Sequence, residues 1–345
     1  MNSTILKSVS KPGRYCGGEY GQIVKDKAGI NCRVAFCFPD TYEIGMSNLG
    51  LRILYGVLNR EPDVWCERVF APWLDMQEQM QKYALPLCAL ESGDPVGDFD
   101  IVAFTLQYEM CYTTVLNMLS LAGIPLLASA RGEDAPIIIG GGHCAYNPEP
   151  IADFFDIFSI GEGEEALPEL ARLYISMKQD GTYTRAAFLH AAAKLDGFYV
   201  PSLYAVDYNP DGTISGITPK YDDIPKKVRK RIIRDLDKVF YPTSTYLPFI
   251  ATVQDKMVLE VYRGCIRGCR FCQAGMVCRP VREKTVDKLF DDAQCMYRNF
   301  GYDEMALSSL SISDYSQIDT LTDRFAAWAT EHHISLSLPS LRLDS

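Results

Sequence analysis

Residues 263–272 read RGCIRGCRFC and place cysteines at 265, 269 and 272, a C-x3-C-x2-C spacing. Thiolates bind soft metals, and three so close together can face one centre only if the backbone curls around it, which Gly264 and Gly268 permit. An apolar run at 257–262, MVLEVY, leads directly into the motif. The stretch therefore reads as a loop wrapped on a metal at the end of a strand. Zinc is one alternative, but structural zinc usually takes four ligands in two separated pairs, and the chain has no second C-x2-C. Cys278 is available as a fourth thiol, in a spacing that fits no common zinc module. An electron-transfer iron–sulfur cluster also wants four cysteines.

The compartment decides which cysteine chemistry is open. The chain has 345 residues, enough for about two domains, with 48% hydrophobic and 23% charged residues, as in a globular protein with an ample core. Its start, MNSTILKSVSKPGRY, has no apolar leader, and no run approaches the length of a membrane span. These features predict a cytoplasmic chain without membrane contact, in which disulfides are disfavoured and scattered cysteines such as Cys37, Cys66, Cys111 and Cys144 are small buried hydrophobes. A net charge of −10 argues against a broad phosphate-binding face. The run KKVRKRIIR at 226–234 carries six positive charges and reads as a solvated linker face, with RNA the partner that an anion-binding role would imply.

Ahead of the motif, apolar runs alternate with helical patterns, the signature of a helix-covered parallel sheet. Strands are expected at 33–38, 99–106, 136–140 and 155–160, and helices from about 48–58 and 109–121. Glycine-rich loops follow the strands at 40–45, 140–142 and 161–163, where open α/β sheets bind ligands. Gly161-Glu162-Gly163-Glu164-Glu165-Ala166 fits the dinucleotide pattern G-x-G-x-x-A, but its three glutamates oppose a pyrophosphate at the helix start. Acidic N-terminal capping is the better account. YNPDG at 208–212 is turn chemistry between two strand-like runs, a connecting hairpin. After the motif, helices at 284–300 and 316–331 alternate with strands at 304–310 and 334–338.

The C-x3-C-x2-C spacing, with Phe271 before the last cysteine, resembles the signature of the radical S-adenosylmethionine (SAM) superfamily. The resemblance implies that Cys265, Cys269 and Cys272 hold a [4Fe-4S] cluster and that SAM chelates the iron left without a protein ligand. Cleavage of SAM to a 5′-deoxyadenosyl radical would follow, with electrons from a reducing partner such as flavodoxin or ferredoxin. Ser309, Ser311 and Asp314, at a strand's carboxyl end, are then candidates for the SAM amino group. Ser313 or Asp314 would otherwise cap the helix that follows. Ser340 and Arg342 are candidates for the SAM carboxylate or the substrate, and no catalytic residue is identified.

About residues 33–175 resemble the cobalamin-binding-type Rossmann domain that precedes many such cores. Asp40-Thr41-Tyr42-Glu43-Ile44-Gly45 lies where that family's D-x-H-x-x-G loop falls, and Thr105 and Gly140–Gly142 follow its pattern loosely. The resemblance makes Asp40, Gly45 and Gly141 cofactor-binding candidates. Tyr42 replaces the histidine, and a phenol at its ordinary pKa is a poor cobalt ligand, so histidine-ligated cobalamin is disfavoured. KPGRYCGGEYGQ, YRGCIRGCRFCQAG, SLSISDY and LPSLRLDS together resemble a bacterial family of large radical SAM proteins, related to cobalamin-type enzymes and more distantly to tRNA methylthiotransferases.

The expected architecture is α/β. A doubly wound Rossmann-like sheet (1–197) is followed by a connecting hairpin and linker (198–250) and the first part of a radical SAM partial (β/α) barrel (251–345). Only three strands are expected after residue 256, against six in that barrel, so the sequence is expected to be a truncation, a fragment or one part of a split protein. Two functions follow: a radical SAM enzyme of methyl or methylthio transfer, or a cluster-binding scaffold without turnover. A zinc-binding module is the third class.

Overall fold

A computed structural model describes residues 3–342, whose contacts fall into two units. The first contains the residues up to Gly18, Ile23–Gly45 and Leu54–Ile232; the second contains Glu19–Gln22, Met46–Ile53 and the chain from Ile233 onward.

In the first unit, strands β1 (Cys32–Phe38), β2 (Val64–Phe70), β3 (Ile101–Thr105), β4 (Ile137–Gly141), β5 (Ile157–Ser159) and β6 (Phe198–Tyr199) form one sheet in the order β2-β1-β3-β4-β5-β6. The first five are parallel, and β6 runs antiparallel to β5 through Phe158 and Tyr199. The apolar runs of β3, β4 and most of β1 follow from burial on both faces, as in helix-covered parallel sheets. Helices α1 (Leu49–Arg60), α2 (Leu74–Tyr83), α3 (Tyr112–Leu121), α4 (Gly163–Gln179) and α5 (Arg185–Ala192) connect them. The strand order reverses between β1 and β3, and the crevice beyond the carboxyl ends at such a switch point is where doubly wound sheets bind ligands. A hairpin of β7 (Tyr204–Tyr208) and β8 (Ile214–Pro219) follows, as the turn residues predict.

Strand β2 is absent from the sequence-based expectation. Glu67 and Arg68 interrupt its apolar run, yet both are fully buried. Each has an ionic partner: Arg33 Nη2 lies 2.5 Å from Glu67 Oε1, and Arg68 Nε lies 2.6 Å from Glu91 Oε1. Glu91 also closes the free edge of the sheet, because its second oxygen accepts the Arg68 N–H at 2.7 Å and Leu90 N–H reaches the Arg68 carbonyl at 2.9 Å.

In the second unit, β9 (Met257–Glu260) leads through a short antiparallel ribbon, β10 (Tyr262–Arg263) with β11 (Arg282–Glu283), into α6 (Val286–Phe300), β12 (Glu304–Ser308), α7 (Ile318–Glu331) and β13 (Ser335–Ser337). The three longer strands are parallel in the order β13-β12-β9, with Met305 beside Met257 and Leu336. Helix α6 starts at Thr285, whose hydroxyl accepts the Lys288 N–H, and stops at Gly301 in the left-handed conformation (φ 69°). Both ends are those that the residue types dictate.

The free edge of β9 is closed by one side chain. Tyr241 donates its hydroxyl to the Val258 carbonyl at 2.7 Å and accepts the Glu260 N–H at 2.8 Å. Under its ring, 3.5 Å from the centroid, lies the ammonium of Lys284, buried without a hydrogen-bond partner. Burial pushes that amine down to about 8, against the attraction of Glu260 and Asp292. An unfolded lysine titrates near 10.4, so between about pH 8 and 10.4 the unfolded chain binds more protons and stability rises with pH. Below that window the buried charge is a constant cost of up to about 3 kcal/mol. Lys284→Met is therefore expected to stabilise the protein by about 1–3 kcal/mol at pH 7, with the gain shrinking toward pH 10. Lys284 lies 4.0 Å from Asp292 Oδ2, but Asp292 keeps Lys288 at 2.6 Å on Oδ1 and Glu260 keeps Arg263 at 2.9 Å, so each carboxylate retains a cation. Urea unfolding at pH 7 and 9.5 measures both the sign and the slope.

Candidate functional site

The β10–β11 ribbon pairs Tyr262 with Glu283 and Arg263 with Arg282, and so closes the base of the cysteine loop. Gly264 there has φ 94°, and a Cβ on it would lie 2.5 Å from the Pro280 carbonyl oxygen. Only glycine fits. Gly268 is also left-handed, at φ 66°. The curl expected of both glycines is therefore built into the backbone. Cys265 and Cys272 are half-buried, Cys269 is exposed, and all three are free thiols. Two sulfurs already receive backbone donors: Arg267 N–H to Cys265 Sγ at 3.5 Å and Gly275 N–H to Cys272 Sγ at 3.3 Å. Donors of this kind stabilise thiolates and tune cluster potentials. Among the described residues, no three His, Cys, Asp or Glu side chains converge as a metal-ligating group, so the loop supplies the donors without gathering them. Donor chemistry, hinges and N–H contacts nevertheless fit a soft-metal cluster. Cys278 follows the single helical turn Ala274–Val277, and its N–H is bonded to the Ala274 carbonyl.

Beyond β12, the hydroxyl oxygens of Ser309 and Ser311 are buried without a hydrogen-bond partner. Orphaned hydroxyls at a strand's carboxyl end are the groups that a polar ligand would satisfy. Asp314 closes the turn Ile312–Asp314, and both its oxygens accept from Arg267 of the cysteine loop, Nε to Oδ2 at 2.8 Å and Nη2 to Oδ1. The Arg267 hydrogen bond holds this carboxyl below its usual range. Helix capping by Ser313 or Asp314 does not occur, because α7 begins after Gln317 with no side-chain cap. Instead, Ser313 Oγ accepts the Arg342 N–H at 3.1 Å, which brings Arg342 to the same turn. Ser340 is exposed, with φ 63°.

At the switch point of the first unit, Asp40 accepts the Thr41 N–H at 2.7 Å and the Tyr108 hydroxyl at 3.2 Å, which links the loops after β1 and β3. Gly45 packs where a Cβ would lie 2.2 Å from the Phe70 ring. Tyr42 is buried against the same ring, with centroids 5.4 Å apart. Glu43 anchors the turn: burial raises its carboxyl, but hydrogen bonds from Arg14 and Lys11 outweigh this and hold it at about 2. Gly141 ends β4 beside Thr105, whose buried hydroxyl oxygen also lacks a partner. Gly142 follows at φ 109°, where a Cβ would lie 2.8 Å from the Leu106 carbonyl oxygen. The loops at the switch point thus combine a carboxylate, an orphaned hydroxyl and glycines without side chains.

The G-x-G-x-x-A loop does not offer a phosphate site. The backbone of Arg231 pairs with it, its N–H on the Ile160 carbonyl at 2.9 Å and its carbonyl accepting the Glu162 N–H at 3.1 Å. A Cβ on Gly161 would lie 2.2 Å from that carbonyl oxygen. The Arg231 guanidinium meets Glu165 and Glu169 at 3.5 and 2.9 Å, so the acidic helix start receives the basic linker. A cavity of about 1050 Å³ lined by Phe155, Asp156, Arg185 and Tyr204 contains none of the predicted site residues. Its charged floor is satisfied internally, with Asp156 bonded to Arg131 and Arg185.

Residues 50–201 match the family described as radical SAM proteins, N-terminal. An uncharacterised protein of Methanocaldococcus jannaschii is 24% identical over 316 residues, 90% of this chain and 56% of the relative. The radical SAM methyltransferase TsrM of Kitasatospora setae, solved with cobalamin and a [4Fe-4S] cluster bound, shares the fold with a TM-score of 0.54 and 13% identity, over 88% of this chain and 55% of that one. Its structure with tryptophan substrate and a SAM analogue aligns with a TM-score of 0.52 and 12% identity, over 88% and 54%. The chain spans about half the length of these relatives. Residues 50–201 are thus similar to the N-terminal part of radical SAM proteins, and the chain shares its fold with a radical SAM methyltransferase.

Proposed function

We propose that the protein is a radical SAM enzyme in which Cys265, Cys269 and Cys272 hold a [4Fe-4S] cluster and SAM completes its coordination. The single observation carrying this is the pairing of a loop of three free thiols, two of them supported by backbone N–H groups, with buried, orphaned hydroxyls at Ser309 and Ser311 in the same unit. The chemistry such a cluster supplies is one-electron cleavage of the SAM sulfonium bond, which yields a 5′-deoxyadenosyl radical. In this reading the Arg267 and Gly275 amides stabilise two thiolates, Ser309 and Ser311 bond the SAM amino group, and Ser340 and Arg342 meet its carboxylate or the substrate. Asp314 is already engaged by Arg267.

Cobalamin, which the solved relative binds, fits the switch-point crevice of the first unit through Asp40, Gly45, Thr105 and Gly141. Tyr42 is buried and offers no ligand, so the cofactor would sit there without one from this loop. Methyl or methylthio transfer in the cytoplasm, driven by a flavodoxin or ferredoxin, follows from this reading. RNA is a substrate class that exposed Lys226, Lys227 and Arg229 would serve. The competing reading is a cluster-binding scaffold without turnover.

Anaerobic reconstitution with iron and sulfide, then dithionite and SAM, is expected to give a broad absorbance near 400 nm, on the order typical of iron–sulfur proteins, and 5′-deoxyadenosine. A cluster that leaves SAM intact supports the scaffold. Bound zinc without acid-labile sulfide overturns both.

A further inference from the structure

We propose that Arg267 and Asp314 form a latch that seats the cysteine loop on the carboxyl end of β12 before a cluster is present, making Arg267 a positioning residue for cluster assembly and assigning Asp314 to the loop in place of the SAM ammonium. The proposal rests on the cluster reading above. It starts from a planar, two-point contact between segments 47 residues apart, Arg267 Nε to Asp314 Oδ2 at 2.8 Å and Nη2 to Oδ1. Bidentate arginine–carboxylate pairs fix orientation as well as distance.

Arg267 lies between the first two cysteines, and the same residue donates its backbone N–H to Cys265 Sγ at 3.5 Å. Holding its side chain therefore holds the approach to the first thiol, while left-handed Gly268 sets the direction toward Cys269. The other half of the latch is rigid. The Asp314 side chain is 8% exposed, and its turn is fastened on several sides. Tyr262 donates to the Ser311 carbonyl, Tyr315 donates to the Lys284 carbonyl at 2.8 Å, and the Ser316 N–H reaches Glu283 at 3.0 Å. Those partners belong to or adjoin the β10–β11 ribbon that closes the cysteine loop. Both ends of the latch are thus tied to one frame, and the latched turn directly follows the orphaned hydroxyls of Ser309 and Ser311. A carboxylate committed in this way has both oxygens turned to the guanidinium and its charge matched there, so it attracts an ammonium less than an unpaired one does and those hydroxyls become the cofactor's partners.

The test uses the full chain. In metal-free protein, iodoacetamide alkylation of Cys265, Cys269 and Cys272 is followed residue by residue by mass spectrometry. Arg267→Gln and Asp314→Asn are each expected to speed it by about three- to fivefold, the size a half-exposed ion pair supports, and to lower iron uptake at limiting iron. Arg267→Lys should recover part of the effect, and the double exchange Arg267→Asp with Asp314→Arg most of it. That rescue separates a latch from a fold defect. Unchanged alkylation in both single variants overturns the proposal, as does failure of the exchange to rescue. So does an Asp314→Asn protein that loads iron normally but loses the SAM-induced change in the reduced cluster's electron paramagnetic resonance signal, because Asp314 then serves the cofactor. If the wild type takes up no iron, the cluster reading fails while the alkylation rates still decide the latch.

Discussion

Cys265→Ser, Cys269→Ser and Cys272→Ser are each expected to reduce iron from about four per chain to less than about one after anaerobic reconstitution, whereas Cys278→Ser keeps the full complement. Serine preserves shape but presents a hard oxygen that stays protonated at neutral pH, and a cluster held by three ligands loses a third of its attachment with any one of them. The three targets share one glycine-hinged loop, two of them under backbone N–H donors. Cys278 lies past the Ala274–Val277 turn, its backbone already bonded into the chain on both sides. Iron and sulfide analysis of the four variants decides the coordination number. If Cys278→Ser also empties the site, the cluster has four protein ligands, no iron is left for SAM, and the radical SAM mechanism fails.

Arg68→Ala is expected to cost about 3–5 kcal/mol of stability, the range for breaking a buried ion pair from one side. Both members are fully buried, and Arg68 Nε sits 2.6 Å from Glu91 Oε1. Burial alone pushes the Glu91 carboxyl up and Arg68 pulls it back, so removal of the guanidinium raises it further. The unfolded carboxyl ionises near 4.3, so above that pH the unfolded chain binds fewer protons than the folded one and the variant loses stability as pH rises. Its deficit should be smaller at pH 5 than at pH 8. Arg68→Met combined with Glu91→Gln retains an acceptor for the Arg68 N–H without a charge, and is expected within about 2 kcal/mol of wild type. Urea unfolding of the single and double variants checks the cost and its recovery. A single variant as stable as wild type at pH 8 would mean that water reaches Glu91.

The contrast between β2 and its neighbours explains what the sequence makes legible. Strands β3 and β4 are continuous apolar runs and β1 is one apart from Arg33, and burial on both faces leaves them no other role. Strand β2 carries Glu67 and Arg68, whose partners at Arg33 and Glu91 lie 34 and 23 residues away, so no local pattern distinguishes that segment from a surface turn. Strand β6 is two residues long and too short for any period. The cysteine loop is legible because its three thiols are neighbours in sequence and its glycines announce the curl. Arg267 is invisible as a latch because Asp314 lies 47 residues away, although Asp314 stands out by its place after a strand. The glutamates at 162, 164 and 165 speak against a phosphate on their own, but nothing near them indicates that Arg231 takes the position.

Tyr241 has a consequence for how this sheet can be extended. Its single phenol supplies the acceptor and the donor that a neighbouring strand would bring to Glu260 and Val258, so the β9 flank is already spoken for. A strand from any source that lengthens the second unit's sheet must therefore enter beside Ser335–Ser337. This gives the assembly a direction of growth, set by one hydroxyl on the opposite flank.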